Sequence, residues 1–343
     1  MVATSVMKAQ VLRGPDRMEL ETLQVPRPGP GEVLVRVTHC GICGSDVKYY
    51  HGSVPLQYPR ILGHEIVGVV EADESGRLRP GTRVVVDPMV YCGACAECQD
   101  GLTHLCANGR LAGMSADGGF GEYMAVPTGN VYPLPDHVPN SVAVTVQPLT
   151  TCVHSQRLVS FFPGDTMVVL GMGVTGLLHA QLARLRGARL VIGVDVATWK
   201  RDLVREMGVD EFLEAGSELE RVRKLTGGRG ADVVIDAVGS VPTFARSIEL
   251  VRPGGQVLVF GTIPATSGEL PFYQMYYKEV RVLFSRAHRP DDFRTALRLI
   301  ERRQVELEPL VTHVLPLARA REALALLEDP QAPRLKVVLE HSV

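Results

Sequence analysis

Two hydrophobic patterns divide the chain. Over roughly the first 140 residues, short apolar runs at 33–37, 66–70, 83–86 and 123–126 are punctuated by Pro26, Pro28, Pro30, Pro80 and Gly81. That spacing predicts a β-rich region. From about Val146 the period changes: a helix is expected to residue 159, then strands at 167–170 and 190–194 alternating with amphipathic helices at 176–186 and 199–207. Strands at 233–237 and 256–260 continue the series, and such alternation predicts βαβ units around a parallel sheet. Beyond Val282 the pattern gives two helices, 291–303 and 319–327, and a closing strand at 336–339. No internal repeat and no long linker interrupts it.

Composition narrows the classes. The 343 residues suffice for about two domains at roughly 150 residues each, and 45% hydrophobic with 22% charged residues exclude a disordered chain. The 36 basic and 38 acidic residues nearly cancel and nowhere form a basic stripe, so no nucleic-acid partner is expected. The longest apolar stretch, 167–180, is broken by glycines, Thr175 and His179, so no membrane span is expected. Residues 1–10 have no apolar signal segment, and the seven cysteines are not a disulfide framework, which together point to a reducing cytoplasm.

Candidate chemistry sits in two motifs. Cys92, Cys95, Cys98 and Cys106 lie within fifteen residues, a spacing that lets four thiolates close around one tetrahedral Zn²⁺ with no position left for water. An iron–sulfur cluster is the chemical rival. The run Gly171-Met172-Gly173-Val174-Thr175-Gly176 follows an apolar strand and opens a helix, and Asp195 ends the next strand. Together they predict a dinucleotide fold in which the glycines admit pyrophosphate at the helix N-terminus. Asp195 would accept bonds from the adenosine ribose and repel a 2′-phosphate, favouring NAD over NADP.

Taken in order, Cys40-Gly41-Ile42-Cys43-Gly44-Ser45-Asp46, Gly63-His64-Glu65, the four-cysteine loop, Asp117-Gly118-Gly119-Phe120-Gly121-Glu122-Tyr123 and the glycine run resemble the zinc-dependent medium-chain dehydrogenases, nearest the sorbitol (polyol) and threonine dehydrogenase branch. The resemblance spans about residues 8–339. It implies an α/β architecture with a cleft between two domains. A GroES-like β domain with the structural-zinc loop is expected from residues 1–147 and 283–343, and a doubly wound Rossmann domain from 148–282.

By the same resemblance Cys43, His64 and Glu65 are the protein ligands of a second, catalytic zinc, making two zinc ions per chain. Asp46 would hold the free ring nitrogen of His64, and Ser45 would take the alcohol proton. Thr151 would pack behind the nicotinamide, with Gly239, Gly261, Thr262 and Lys200 at the cofactor. Arg286 and Lys336 are candidates for substrate or pyrophosphate contacts. Two positions depart from the family pattern. Relatives often carry a relay histidine where this chain has Lys48, with His51 slightly farther on, and Glu-Pro is usual at the domain crossover where this chain reads Gln147-Pro148. Cys40 and Cys152 read as small buried side chains. The implied activity is oxidation of a secondary alcohol, a polyol or sugar alcohol, with NAD. Threonine oxidation is the alternative, disfavoured because residues 49–58 lack a tryptophan-rich insert, and a non-catalytic zinc- and nucleotide-binding protein is the other. A homotetramer is the family expectation, with a dimer as alternative, paired through an edge strand near residues 256–261.

Overall fold

The structure, a computed structural model, describes residues 5–342 as two compact units. One unit takes the chain as far as Gln147 and again from Leu307; the other runs from Pro148 to Glu306.

The first unit is built on a seven-stranded sheet. Along it lie Val131–Pro133, Arg83–Val86, Glu65–Asp73, Glu32–Ile42, Lys336–Glu340 and Val311–Pro316, with Tyr123–Pro127 also paired to Glu32–Ile42. The central strand Glu32–Ile42 has neighbours on both edges and apolar side chains on both faces, so Val33, Leu34, Val35, Val37, Cys40 and Ile42 are all buried. Its antiparallel partners bring Glu65 opposite Gly41 and Val337 opposite Ile42. A hairpin of Val6–Gly14 and Arg17–Gln24 packs beside it with Arg60–Ile61. The sequence pattern missed that hairpin, because charged residues interrupt its apolar positions.

The second unit holds a parallel sheet in the order Glu211–Glu214, Leu190–Asp195, Thr166–Leu170, Ala231–Asp236, Val251–Val259, Arg281–Phe284. Its inner strands are continuous apolar runs, as expected of strands covered on both faces; Met167, Val168, Val169, Val233, Val234 and Ile235 are fully buried. Two expectations are corrected here. The return to the first unit comes at Leu307 rather than residue 283, because Arg281–Phe284 is the sixth strand of the parallel sheet and the helix Pro290–Glu301 is tied to the helix Val146–Leu158. That tie is Asp292, whose carboxylate meets His154 Nδ1 at 2.7 Å and Arg157 Nε at 3.0 Å. The strand near 256–261 is not an edge; it lies between Ala231–Asp236 and Arg281–Phe284, and the latter is the edge on that side of the sheet. Among the described residues no helix is long and apolar enough to cross a membrane.

Candidate active site and metal groups

The four-cysteine loop assembles without help from distant chain. Cys95 caps a short helix, Ala96–Gln99, and the segment 103–106 folds back so that Cys106 Sγ lies 3.5 Å from Cys92 Sγ and 3.7 Å from Cys95 Sγ. A tetrahedron with arms of about 2.3 Å has sulfur–sulfur edges of about 3.8 Å, so the observed spacings fit one zinc and are far too long for a disulfide. Backbone N–H groups of Ala94 and Cys95 donate to Cys92 Sγ and pull its thiol down to about 6. Cys98 is pushed the other way, to about 12, by burial and by the neighbouring thiols.

The second group is assembled by the sheet. Strand Glu32–Ile42 ends at Cys43, which caps the helix Gly44–Tyr50; Asp46 Oδ2 accepts the Cys43 N–H at 2.8 Å and fixes the turn. Asp46 Oδ1 stands 3.5 Å from His64 Nδ1. His64 and Glu65 open the strand Glu65–Asp73, and donor atoms of Cys43, His64 and Glu65 lie within 4.8 Å of one another. Glu65 is seated by an absence of side chain: a Cβ on Gly41 would stand 2.0 Å from Glu65 Oε2. Lys336 Nζ, itself buried, donates to Glu65 Oε1 at 2.7 Å and to the Ile42 carbonyl at 3.1 Å.

Glu65 Oε2 is buried beside this triangle with no hydrogen-bond partner. An unpaired buried carboxylate oxygen is costly, and a cation shared with Cys43 and His64 removes the cost. Thiolate, imidazole and carboxylate form a three-ligand zinc set with one position left over. The ionisation of the group agrees. Burial raises the Cys43 thiol, but the hydrogen bond and charge of His64 outweigh it and bring the thiol below its usual range. Burial likewise opposes charge on His64, yet Asp46 and Cys43 hold its pKa well above the usual value. Both directions favour the charged forms of the pair, and because a metal binds thiolate and neutral imidazole, its uptake is coupled to proton release.

Ser45 and Lys48 lie one turn apart on Gly44–Tyr50, both half-buried. His51 is held elsewhere: its ring nitrogens meet Asp16 Oδ1 at 2.5 Å and Glu328 Oε1 at 2.8 Å. Gln147 is buried at the start of Val146–Leu158. Cys40 is fully buried, and burial holds its thiol well above the usual range.

In the other unit Gly173 caps the helix Val174–Leu185, so Gly171, Gly173, Val174, Thr175 and Gly176 form one strand-to-helix turn. A Cβ on Gly176 would stand 1.9 Å from the Gly171 carbonyl oxygen, which is the close packing the motif requires. Asp195 ends its strand and binds three donors: Met172 N–H at 2.7 Å, Ala197 N–H at 2.8 Å and Lys200 Nζ at 2.9 Å. Gly239 and Gly261 stand back to back, where a Cβ on either would come within 2.4 Å of the other's backbone, with Thr262 exposed next to them. Thr151 Oγ1 donates to the Pro148 carbonyl at 2.8 Å, and Cys152 Sγ to the Thr175 carbonyl at 3.6 Å, which leaves the latter thiol with the dinucleotide turn. Lys336, expected at the cofactor, has its ammonium in the metal group; its place follows from the pairing of the last strand with Glu32–Ile42, which no local motif announces. Gly41 likewise gave no local signal.

Comparison with known proteins agrees with this fold. Residues 29–136 match the alcohol dehydrogenase GroES-like domain and residues 174–302 the zinc-binding dehydrogenase domain. The chain is 31% identical to L-galactonate-5-dehydrogenase of Escherichia coli K12 over 93% of its length and 94% of that protein. It is 32% identical to the sorbitol dehydrogenase of Halalkalibacterium halodurans over 92% of its length and 93% of that protein. Among solved structures, a zinc-binding dehydrogenase of Sinorhizobium meliloti 1021 bound to NADP superposes with a TM-score of 0.92 at 34% identity, covering 98% of this chain and 100% of that one.

Proposed function

The chain belongs to the zinc-dependent medium-chain dehydrogenase family, and from that premise we propose that it passes hydride from a secondary alcohol of a polyol or sugar acid to NAD, giving a ketone and NADH. The observation that carries the reading is the buried, unpartnered Glu65 Oε2 beside Cys43 and His64, with Lys336 on the other carboxylate oxygen. When bound there, zinc supplies the Lewis acidity that makes an alcohol easier to ionise. The residues do the rest. Asp46 orients His64 and strengthens it as a ligand, and Ser45, two positions after Cys43, accepts the alcohol proton. The turn from Gly171 to Gly176 receives the pyrophosphate, and Asp195 receives the adenosine ribose.

The galactonate and sorbitol activities named for two relatives support a polyhydroxylated substrate. Absorbance of NADH on a panel of polyols, sugar acids and threonine tests this; turnover of threonine alone contradicts it. Asp195 supports NAD even though the Sinorhizobium neighbour carries NADP, and kcat/KM for NADP equal to or above that for NAD contradicts that assignment.

Assembly and compartment belong to the same reading. The open strand edge Arg281–Phe284 adjoins exposed Phe272, Tyr273, Tyr276, Tyr277 and Phe284, a surface suited to pairing with a second copy within a homotetramer. Light scattering that returns a monomer at micromolar concentration contradicts it. Seven free thiols, six of them unexposed and five in the two metal groups, suit a reducing cytoplasm.

A further inference from the structure

Among the described residues Lys48 is the one half-buried lysine with no hydrogen bond or ion pair. The chain has six lysines. Lys8 bonds Thr22, Lys200 bonds Asp195, Lys278 bonds three backbone carbonyls, Lys336 bonds Glu65, and Lys224 is exposed to solvent. Lys48 alone is half-buried with no hydrogen bond or ion pair among the described residues. The nearby acids are committed elsewhere: Asp46 to the Cys43 N–H and His64, and Asp16 and Glu328 to His51. With a dication bound, the Cys43 thiolate, the Glu65 and Asp46 carboxylates and the Lys336 ammonium leave that centre with no net charge. The charge of Lys48 is therefore surplus to the site's own balance.

Its position gives that surplus a use. Ser45 and Lys48 are three residues apart on one helix, which sets them on neighbouring positions of the same face. A substrate whose hydroxyl reaches Ser45 thus has a free ammonium one helical turn away. We propose that the substrate is anionic, a polyhydroxy carboxylate of the hexonate type, and that Lys48 pairs with its carboxylate. This deepens the reading above and rests on it. A carboxylate offers that ammonium an opposite charge where an alditol offers only hydroxyls, so binding is stronger for the charged substrate than for the alditol of the same skeleton.

The test sets matched pairs against each other: gluconate with glucitol, galactonate with galactitol, and mannonate with mannitol. The wild type is expected to favour the preferred hexonate over its alditol by about tenfold or more in kcat/KM, mostly through KM. Lys48→Met should bring that ratio close to one, and Lys48→Arg should keep most of it. Calorimetric titration of the same hexonate onto the NADH-loaded enzyme reads binding without turnover, and Lys48→Met should weaken it to the same extent. An alditol used as well as its hexonate by the wild type overturns the inference while leaving the dehydrogenase reading intact. A Lys48→Met variant that loses acid and alditol equally, with a shifted pH profile, also overturns it, since that is the signature of a proton relay. If the wild type oxidises neither class, the functional reading fails and this inference falls with it.

Discussion

The two candidate metal groups lie in the same unit and differ in how they are made. The four thiols come from fifteen consecutive residues, reach one another through a local fold-back, and include an exposed member, Cys92. The Cys43, His64 and Glu65 group draws on two distant segments, takes Lys336 from a third, and depends on sheet register to bring Glu65 opposite Gly41. A local, closed ligand set can only hold chain together, whereas a buried, open set with an unpartnered oxygen is equipped for chemistry. On the proposed function, structural and reactive roles fall to different ligand sets, and each should break without the other.

The largest break should come from Cys43→Ala. Losing a partner outside the ligand shell already costs about 10- to 100-fold in such sites, so removing a ligand should lower kcat by more than about 100-fold while circular dichroism shows the fold retained. Full activity in this variant would disprove the catalytic assignment. Cys98→Ser should act oppositely. Structural zinc contributes to folding directly, so the expected outcome is a fall in Tm of roughly 10 °C with kcat per folded chain kept, and scanning calorimetry alongside active-site titration would check it.

Acid should act on the sheet of the first unit rather than on either metal group. His341 follows the strand that carries Lys336, and burial pushes it down to about 4. Its folded pKa lies below the unfolded value, so the unfolded chain binds the extra proton first. Stability is whole above about pH 6.5 and falls as pH drops toward 4, by roughly 3 kcal/mol if this residue acts alone. Urea melts from pH 7 to 4 should show that slope, and His341→Phe should flatten it; an unchanged slope would mean that the sheet end is not the acid-sensitive element.

The smallest effect concerns Gln147, buried at the crossover. By the family resemblance this position faces the ligand set, where a neutral amide leaves one unit more positive charge than a glutamate would. Gln147→Glu should therefore raise the apparent pKa governing alcohol oxidation by about one unit, because an added negative charge disfavours the deprotonated alcohol. A pH profile of kcat/KM that stays put, or moves down, would remove residue 147 from the electrostatics of the site.

How much of this was legible in the sequence follows the same divide. The four cysteines, the glycine turn and Asp195 are local patterns, and the strand at 83–86 and the helix from 146 were visible in the periodicity. The Cys43, His64 and Glu65 set came only from the family resemblance, and other features that depend on long-range pairing were not visible. Lys336 read as a cofactor contact because only the pairing of the final strand with Glu32–Ile42 takes it to Glu65. The edge strand Arg281–Phe284 was hidden because its apolar run is only three residues long and is flanked by Lys278, Glu279, Arg281 and Arg286. Gly41 is legible in the sequence only as part of a motif, since nothing local shows that a carboxylate needs its missing side chain.

The central claim, that one set of ligands is structural and the other reactive, is tested most directly by counting zinc per chain in the wild type and in Cys43→Ala by elemental analysis. Two zincs are expected in the wild type and one in the variant, with the fold kept and turnover lost. A single zinc in the wild type, or two zincs and normal turnover in Cys43→Ala, would contradict it.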